Sequence, residues 1–358
     1  MRQALAVGSR GLGRVWPNPS VGCVIVKDGQ IVGRGWTQDG GRPHGEVMAL
    51  AQAGDRARGA TVYVTLEPCS HTGQTPPCAA ALIKAGVARV VVAMLDPDPR
   101  VNGQGVALLR NAGIEVEVGT CSHETSEQHA GFIKKIKSGR PMVTLKLASS
   151  FDGRIATASG ESQWITGPIA RRLVHAQRAR HDAVMVGGGT ARKDDPSLTV
   201  RGLGIARQPV RVVWSRQLDL PLQGQLAASA QQVPLWIVHA EGADATLCDL
   251  WRGLGAKLLP VGCGADRQID PAQALTALAG AGLTRVYCEG GGAMAASLLR
   301  ADLVDELVNF TAGLGLGADG LAAIAPLGLA HLAAAQRFDL VETVPVGPDV
   351  MSRWRRRA

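Results

Sequence analysis

The sequence is poor in aromatic residues and contains no long hydrophobic run. Aromatic side chains make up 4% of its 358 residues, which argues against a surface on which nucleic-acid bases would stack. No apolar stretch approaches the roughly 18 residues that a membrane-spanning helix requires. The N-terminal segment MRQALAVGSRGLGR lacks the apolar core of a secretory signal. We therefore expect a cytoplasmic protein that binds neither nucleic acid nor a membrane.

The sequence also lacks the cysteine pattern of a disulfide framework. Its seven cysteines are an odd number scattered along the chain, which is typical of reduced thiols in the cytosol. Part of the net charge of +8 comes from a C-terminal tail that we expect to be solvated and frayed, with Arg353, Arg355, Arg356 and Arg357. No basic stripe runs through the rest of the chain, so the charge suits a small phosphorylated molecule at least as well as nucleic acid.

Length and hydrophobic pattern predict two α/β domains. A chain of 358 residues exceeds one domain of about 150 residues. A hairpin over 21–36 followed by alternating helices and strands indicates an α/β sandwich in residues 1–120. Residues 121–140 are polar and helical and end at Gly139 and Pro141, so we interpret them as a helical linker. The predicted domains are 1–140 and 141–358, and strands of the second are expected at 142–148, 183–188, 210–214, 234–239, 285–291, 305–310 and 338–344.

Two short segments combine residue types that bind zinc. RPHGEVMAL contains His44 and Glu46, and TLEPCSHTGQTPPC contains Cys69 and Cys78. A tetrahedral zinc with one imidazole and two thiolate ligands keeps its fourth position for a water molecule, whose pKa it lowers. A Glu beside that water can carry its proton to a leaving amine. The pattern therefore predicts a catalytic zinc site, provided that Pro43 keeps His44 outside the regular helix.

The same residue pattern also fits a disulfide, a structural zinc site or a different class of deaminase. A disulfide between Cys69 and Cys78 is disfavoured in the cytosol, and Cys23 lies in an apolar strand and is interpreted as core. If His71 supplied a fourth ligand, the zinc would be structural and Glu46 incidental. A nucleotide or nucleic-acid deaminase shares H-x-E, but its cysteine pair is P-C-x-x-C, whereas here eight residues separate the cysteines.

Two glycine clusters follow predicted strands in the second half of the chain. They are VMVGGGTARKDDPSLTVR (184–201) and VYCEGGGAMAASLL (286–299), and neither matches the G-x-G-x-x-G pattern of a dinucleotide-binding unit. Glycines after a strand allow backbone N–H groups to approach phosphate, although each cluster alone more commonly marks a tight turn. Together with Asp194, Asp195 and Trp164 they indicate a site of nucleotide size.

Motifs from nearly the whole chain resemble one family. PNPSVGCVIV, PHGEVMAL, TLEPCSHTGQTPPC and DPDPRVNGQG resemble the deaminase half of the bifunctional riboflavin biosynthesis deaminase-reductases. LKLASSFDGRIATASGESQWIT, GGGTARKDDPSLTVR and EGGGAMAASLL are similar to the reductase half. The resemblance implies a cytidine-deaminase-like α/β/α domain followed by a dihydrofolate-reductase-like α/β domain. It also implies bound Zn²⁺ and NADPH, a phosphorylated pyrimidine substrate and cytoplasmic activity, and it leaves a homo-oligomer open.

The resemblance further implies two reactions. The first is zinc-dependent hydrolytic deamination of 2,5-diamino-6-(5-phosphoribosylamino)pyrimidin-4(3H)-one. The second is NADPH-dependent reduction of the ribosyl side chain of 5-amino-6-(5-phosphoribosylamino)uracil to ribityl.

Carried over by position, the resemblance implies roles for individual residues. His44, Cys69 and Cys78 would bind zinc, with Glu46 as the proton carrier and Asn18 as a substrate contact. NADPH would be held by Ala148, Trp164, Thr190, Asp194, Gly291, Gly292, Ala293, Met294, Ala295, Ala296 and Ser297. The second substrate would be held by Ser162, Arg178, Leu198, Arg201 and Glu289, with Lys146 near its sugar.

The sequence departs from the family pattern at a few positions. Thr37 stands where His is usual, and Gln74 stands where Arg is usual, which leaves contacts to the first substrate open. Gly45 replaces Ala, with an expected helix penalty of up to about 1 kcal/mol. In VVWSRQLDLP, Ser215 and Arg216 occupy a pair that is usually Asp-Ser, and Arg216 would either meet a cofactor phosphate or face water.

Overall fold

The computed structural model describes residues 1–70, 76–99 and 101–357. The chain divides into two compact units, Met1–Gly139 and Arg140–Ala358. Within the described ranges, no helix is both long enough and apolar enough to cross a membrane. His71 and Gln74, for which the sequence suggests a ligand and a lost substrate contact, lie outside those ranges.

The first unit is built on a five-stranded sheet in the order β2-β1-β3-β4-β5. Its strands are β1 (Gly22–Lys27), β2 (Gln30–Trp36), β3 (Thr61–Val64), β4 (Arg89–Val92) and β5 (Glu115–Val118). Its helices are α1 (Arg2–Gly8), α2 (Gly45–Ala53), α3 (Cys78–Ala85), α4 (Gln104–Asn111), α5 (Ser122–Gln128) and α6 (Ala130–Ser138). β1 pairs antiparallel with β2 and β3, whereas β3, β4 and β5 run parallel.

Local sequence accounts for most of these elements. The predicted hairpin is confirmed, because Asp28 and Gly29 both take the positive φ angles that a tight two-residue turn needs, at 50° and 74°. α3 ends at Gly86, which takes the left-handed conformation at a φ of 68°. Buried apolar side chains such as Ile25 and Leu82 form the core between sheet and helices. The predicted α/β sandwich is therefore confirmed.

The helical structure predicted for 121–140 is confirmed, but the interpretation of this segment as a linker is wrong. This segment forms α5 and α6, and both belong to the first unit. Thr125 is fully buried and Phe132 packs against the hydrophobic core of that unit. The segment is rich in polar residues because only one side of each helix faces the protein, and its overall composition therefore resembles that of a solvated linker.

The second unit contains a nine-stranded sheet in the order β11-β10-β9-β8-β12-β6-β13-β16-β15 and a small β14-β7 pair. Its strands are β6 (Met142–Ser150), β7 (Arg154–Ala156), β8 (Ala183–Gly187), β9 (Val210–Trp214), β10 (Leu235–Ala240), β11 (Lys257–Val261), β12 (Arg285–Cys288), β13 (Glu306–Ala312), β14 (Leu321–Ala322), β15 (Phe338–Val346) and β16 (Asp349–Arg356). Its helices are α7 (Pro168–Arg178), α8 (Gly188–Asp194), α9 (Gln225–Ala228), α10 (Ala245–Gly253), α11 (Pro271–Gly280) and α12 (Gly292–Arg300).

In the order of the sheet, all neighbouring strands from β11 through β10, β9, β8, β12 and β6 to β13 run parallel. Their carboxyl ends therefore lie at one edge of the sheet. The glycine clusters follow two of these strands, β8 and β12, which are neighbours in the sheet. Ligands of open α/β sheets bind outside the carboxyl ends of such strands. This edge is therefore where a nucleotide site is expected.

The prediction of a frayed C-terminal tail is also wrong. Residues of the tail form β16, which pairs antiparallel with β13 on one side and β15 on the other. Arg353 forms an ion pair with Glu306 at 3.2 Å, and Arg356 and Arg357 pair with Asp302 and Asp339. The arginines can occupy a strand because acidic side chains of neighbouring segments neutralise them and their aliphatic stems cover the sheet.

Candidate functional site

A cavity of about 330 Å³ in the first unit contains the predicted zinc-binding motif. His44, Glu46 and Cys69 line it together with Asn18 and Thr37. Cys78 completes a cluster in which the ligand atoms of one imidazole and two cysteines all lie within 4.8 Å of one another. The structure thus brings together residues that are far apart along the chain.

The distances in this cluster fit a tetrahedral metal site. His44 Nδ1 lies 3.7 Å from Cys69 Sγ and 3.3 Å from Cys78 Sγ. Zinc bonds of about 2.0 Å to nitrogen and 2.3 Å to sulfur at tetrahedral angles place these atoms about 3.6 Å apart. One imidazole and two thiols are also the donor types that zinc prefers, so the residues present fit the ion without rearrangement.

His44 and Cys78 stand at the starts of helices, which fixes the direction of their side chains, and Cys69 lies in the loop that follows β3. His44 has an extended backbone and immediately precedes α2, as Pro43 suggested, so its side chain and that of Glu46 can face the same cavity. Cys78 is the first residue of α3, and its backbone N–H donates to Cys69 Sγ at 3.3 Å. Gly45 is favoured here because a Cβ would lie 2.9 Å from the Val21 carbonyl oxygen, which offsets the expected helix penalty.

The local electrostatics favour binding of a cation, because they lower the pKa of one of the two cysteines. Hydrogen bonding from Cys78, opposed by burial and assisted by His44, lowers the pKa of Cys69 to about 4. The hydrogen bond between His44 and Cys69 raises the pKa of His44. The hydrogen bond between Cys69 and Cys78, together with burial, raises the pKa of Cys78 well above its usual range. One thiolate is therefore formed in advance, and a bound cation would release the remaining proton.

Glu46 lies beside the cluster as a buried carboxyl group. Its side chain is 3% exposed, and burial raises its pKa to about 7, against the opposing charge of His44. Among the described residues, Glu46 Oε2 has no hydrogen-bond partner. A buried carboxyl oxygen without a partner, next to a metal-ligand cluster, can exchange protons with a bound ligand near neutral pH.

The structure adds residues to this cavity that sequence reasoning missed. Phe132, Lys135 and Ile136 of α6 form part of its wall. Their spacing of three and four residues marks one face of a helix, which was the available signal. Glu67 also lines the cavity, but its carboxylate accepts N–H groups of Asp96, Gly103 and Val106 and so holds the backbone around α4.

Asn18 and Thr37 are placed in the cavity by backbone contacts. Asn18 Nδ2 donates to the carbonyl oxygen of Gly41 at 2.8 Å, and Thr37 Oγ1 accepts the N–H of Val21 at 3.0 Å. The amide oxygen of Asn18 remains available to accept a hydrogen bond from a ligand. Thr37 is too short to reach as far into the cavity as the His expected from the family pattern.

An ion pair in the second unit brings together the residues predicted to bind the second substrate. Arg178 Nε donates to Glu289 Oε1 at 2.5 Å and its Nη2 donates to Oε2 at 3.0 Å, with side chains that are 12% and 10% exposed. Burial raises the pKa of Glu289, but Arg178 and Lys146 outweigh it and hold that pKa below its usual value. Burial lowers the pKa of Lys146 on β6 and Glu289 opposes this. The three charged groups are therefore close enough to shift one another's pKa.

The loop after α8 contacts the Arg178–Glu289 ion pair through Arg178. Arg178 Nη1 donates to the carbonyl oxygen of Thr199, and the N–H of Arg201 donates to His175 Nδ1 on α7. Leu198 is buried in this loop with a positive φ of 52°. The structure therefore gathers the predicted residues of this loop around the Arg178–Glu289 pair.

Thr190 and Gly291, two of the residues predicted to bind the cofactor, lie close together at the carboxyl edge of β8 and β12. Thr190 Oγ1 lies 3.7 Å from the point that a Cβ on Gly291 would occupy, and Met294 Sδ lies equally close to such a point on Gly187. Gly291 precedes α12, whose first N–H groups are free of helix partners. Backbone N–H groups, a hydroxyl group and glycines without Cβ atoms fit a dinucleotide phosphate.

Four other predicted residues are placed without direct contacts to this cluster. Ala148 is half-buried on β6, Ser162 is half-buried in the following loop, and Asp194 is exposed at the end of α8. Trp164 is 66% exposed, with the Arg171 guanidinium 4.4 Å from its ring centroid. Their roles stay predictions.

We expect Cys78→Ala to remove zinc from the protein. The substitution deletes a ligand of the three-residue cluster, so the content should fall from about one zinc per chain towards zero. Metal analysis by inductively coupled plasma mass spectrometry after dialysis measures it. Cys23→Ala is the matched control, because Cys23 is fully buried in β1 and outside the cluster. Equal zinc content in both variants would contradict the assignment.

Family models match both units. The model described as RibD C-terminal domain matches residues 141–352, and the model described as cytidine and deoxycytidylate deaminase zinc-binding region matches residues 1–94. The riboflavin biosynthesis protein RibD of Escherichia coli (strain K12) is 42% identical over 98% of this chain and 96% of the relative. RibD of Aquifex aeolicus is 39% identical over 99% of this chain and 97% of the relative.

Solved structures agree with these relatives over both units. Acinetobacter baumannii RibD, form 1, superimposes with a TM-score of 0.89 at 40% identity and covers 100% of this chain and 98% of its own. A second structure, from Thermotoga maritima, superimposes with a TM-score of 0.87 at 34% identity and covers 100% of this chain and 97% of its own. It is described as a diaminohydroxyphosphoribosylaminopyrimidine deaminase/5-amino-6-(5-phosphoribosylamino)uracil reductase.

Proposed function

The chain belongs to the RibD family, and we propose that its first unit carries the deaminase activity of this family and its second unit the reductase activity. The protein is a bifunctional enzyme of riboflavin biosynthesis that uses zinc and NADPH. It deaminates 2,5-diamino-6-(5-phosphoribosylamino)pyrimidin-4(3H)-one and then reduces the ribosyl side chain of the product to ribityl. Each activity is assigned to the unit that contains the corresponding site.

For deamination, we assign the metal ligands as His44, Cys69 and Cys78. A zinc ion held by these three residues would lower the pKa of a water molecule and so supply the nucleophile for the amine-bearing carbon. Glu46 accepts a proton at its unpaired Oε2 and delivers it to the departing ammonia, a role that needs a pKa near neutrality. Asn18 orients the pyrimidine through its side-chain amide, and the apolar side chains of Phe132 and Ile136 on α6 help to exclude bulk water.

For reduction, Arg178, Glu289 and Lys146 bind the opened ribose and its phosphate. The ion pair fixes the Glu289 carboxylate, which accepts hydrogen bonds from sugar hydroxyls, and Lys146 contributes a cation beside it. Thr190 and the backbone from Gly291 onward hold the cofactor phosphates. The hydride chemistry belongs to NADPH, and these residues position the two reactants.

The partner that this assignment requires is a phosphorylated pyrimidine. We propose that the enzyme meets it in the cytoplasm, which agrees with seven cysteines that are all unpaired. Formation of a homo-oligomer stays a prediction.

The observation that carries this function is the cluster of His44, Cys69 and Cys78 with Glu46 beside it. We expect the zinc-loaded protein to oxidise NADPH with the diamino substrate after a lag, and with the deaminated substrate at once. Absorbance of NADPH measures both rates. Oxidation with the deaminated substrate alone would contradict the deaminase assignment, and oxidation with neither would contradict the reductase assignment.

A further inference from the structure

Two arginines stand at the carboxyl edge of the parallel strands in the second unit. Arg192 lies in α8, which follows the glycine turn of β8, and Arg216 lies two residues after the end of β9. β8 and β9 are neighbours in the sheet, with Gly187 opposite Trp214. Both arginines therefore stand at the same edge as Thr190 of α8, which is assigned to the cofactor phosphates.

Contacts place the Arg192 guanidinium directly over this turn. Its Nη1 lies 3.1 Å from the point that a Cβ on Gly188 would occupy and 2.9 Å from Asp219 Oδ1. Ser215 Oγ donates to the same Asp219 oxygen at 2.9 Å. The side chains of Arg192 and Asp219 are 45% and 51% exposed, so a ligand can reach them.

Arg216 adds a second positive charge to the same edge. Its carbonyl oxygen accepts the N–H of Ala240 from the end of β10, which fixes its backbone between β9 and β10. Its side chain is half-buried. Throughout the part of the chain that the structure describes, the Arg216 guanidinium has neither an ion-pair nor a hydrogen-bond partner. A partly buried guanidinium without a partner favours an anionic ligand.

The adenosine ribose of a dinucleotide is bound at such an edge in open α/β sheets. The glycine turn after one strand takes the pyrophosphate, and the end of the next strand meets the ribose. An acidic residue there accepts the 2′-hydroxyl of NAD, whereas an Arg accommodates the 2′-phosphate of NADP. Here the strand after the glycine turn of β8 is β9, and Ser215 and Arg216 follow its last residue, Trp214.

We propose that Arg192 and Arg216 bind the 2′-phosphate of NADPH and set the preference of this enzyme for NADPH over NADH. The inference rests on the proposed reductase function of the second unit and names residues that this function does not assign. A guanidinium group binds phosphate oxygens through paired hydrogen bonds, and the hydroxyl of Ser215 is an additional donor. Asp219 holds Arg192 in place when the phosphate is absent.

Substitution of Asp219 is expected to change the affinity for NADPH in the opposite direction from substitution of the arginines. Its carboxylate competes with the phosphate for Arg192 and repels it at close range. Asp219→Asn is therefore expected to strengthen binding of NADPH about 3-fold, because one unit of like charge near an exposed site is screened by solvent. Arg192→Gln and Arg216→Gln are each expected to weaken it about 10-fold.

The experiment measures dissociation constants of 2′,5′-ADP and 5′-AMP by calorimetry, and KM for NADPH and NADH with the deaminated substrate. Arg252→Gln on α10 is the matched control, since it removes one exposed arginine that pairs with Asp249 away from this edge. The proposal requires weaker binding of 2′,5′-ADP and NADPH in both arginine variants, little change for 5′-AMP and NADH, and wild-type values in the control.

Equal weakening of NADPH and NADH, or no weakening of 2′,5′-ADP, would overturn the proposal. Failure of the proposed reductase function has a different signature, because the wild-type protein would then oxidise neither nucleotide with the deaminated substrate.

Discussion

The Glu46→Gln variant is expected to lose at least about 100-fold in deamination rate while it reduces the deaminated substrate at the wild-type rate. Gln keeps the shape of the side chain but can neither accept nor release a proton near neutral pH. Steady-state assays with each of the two substrates, together with zinc analysis, measure the effect. Because Glu46 is no ligand of the His44, Cys69 and Cys78 cluster, the zinc content should stay unchanged.

The reason for a large effect is the environment of this carboxyl group. Burial raises its pKa to about 7, so both protonation states are populated at neutral pH, and one of its oxygens is without a partner among the described residues. A general acid-base works best when its pKa lies near the working pH. The effect should therefore appear in kcat as well as in kcat/KM, since proton transfer belongs to the reaction and not to binding.

Glu67→Gln is the matched control for this variant. Glu67 is buried in the wall of the same cavity, but its two oxygens accept three backbone N–H groups. We expect this substitution to lower the melting temperature and to leave much of the deamination rate per zinc-loaded chain. If Glu46→Gln deaminated at the wild-type rate, the proton carrier would be another group, and a structural role of the zinc would gain support.

The zinc site could be predicted from sequence because its residues are fixed by local structure. His44 and Glu46 stand at the start of one helix, Cys78 begins the next, and prolines precede both. Residue type, proline and helix start can all be recognised within a few positions, and the resemblance to one family supplied the rest. The contribution of α6 to the cavity wall depended on packing against a distant sheet, which no local pattern specifies.

The two wrong predictions have a related physical cause. Residues 121–140 and the C-terminal tail are both rich in charged residues, and such residues usually indicate a segment that is exposed to solvent. In the structure, the charged tail residues pair with acidic groups on neighbouring strands, such as Glu306 on β13, and the strand becomes an internal member of the sheet. Composition alone cannot distinguish a solvated charge from one that is paired across strands, because the partner is distant in sequence.

Glu289→Ala is expected to destabilise the second unit by about 3–5 kcal/mol and to abolish reduction. The substitution leaves the Arg178 guanidinium, which the structure keeps largely out of solvent, without its bidentate partner. It also removes the acceptor that we assign to the sugar hydroxyls. Chemical denaturation followed by fluorescence measures the first effect, and NADPH oxidation with the deaminated substrate measures the second, at a temperature where the variant is folded.

A second ion pair in the same unit separates stability from function. Arg140 and Asp305 form a bidentate pair whose side chains are 11% and 10% exposed, nearly the same as in the Arg178–Glu289 pair. Because loss of either carboxylate leaves an arginine unpaired in a similar environment, Asp305→Ala should cost a similar free energy of unfolding. Asp305 also accepts the N–H of Val143 near the amino end of β6, whereas the cofactor edge lies at the carboxyl ends of the strands. Folded Asp305→Ala should therefore keep the wild-type kcat and KM, whereas Glu289→Ala should lose reduction even when fully folded. Equal kinetic loss in both variants would mean that the Arg178–Glu289 pair acts only through stability.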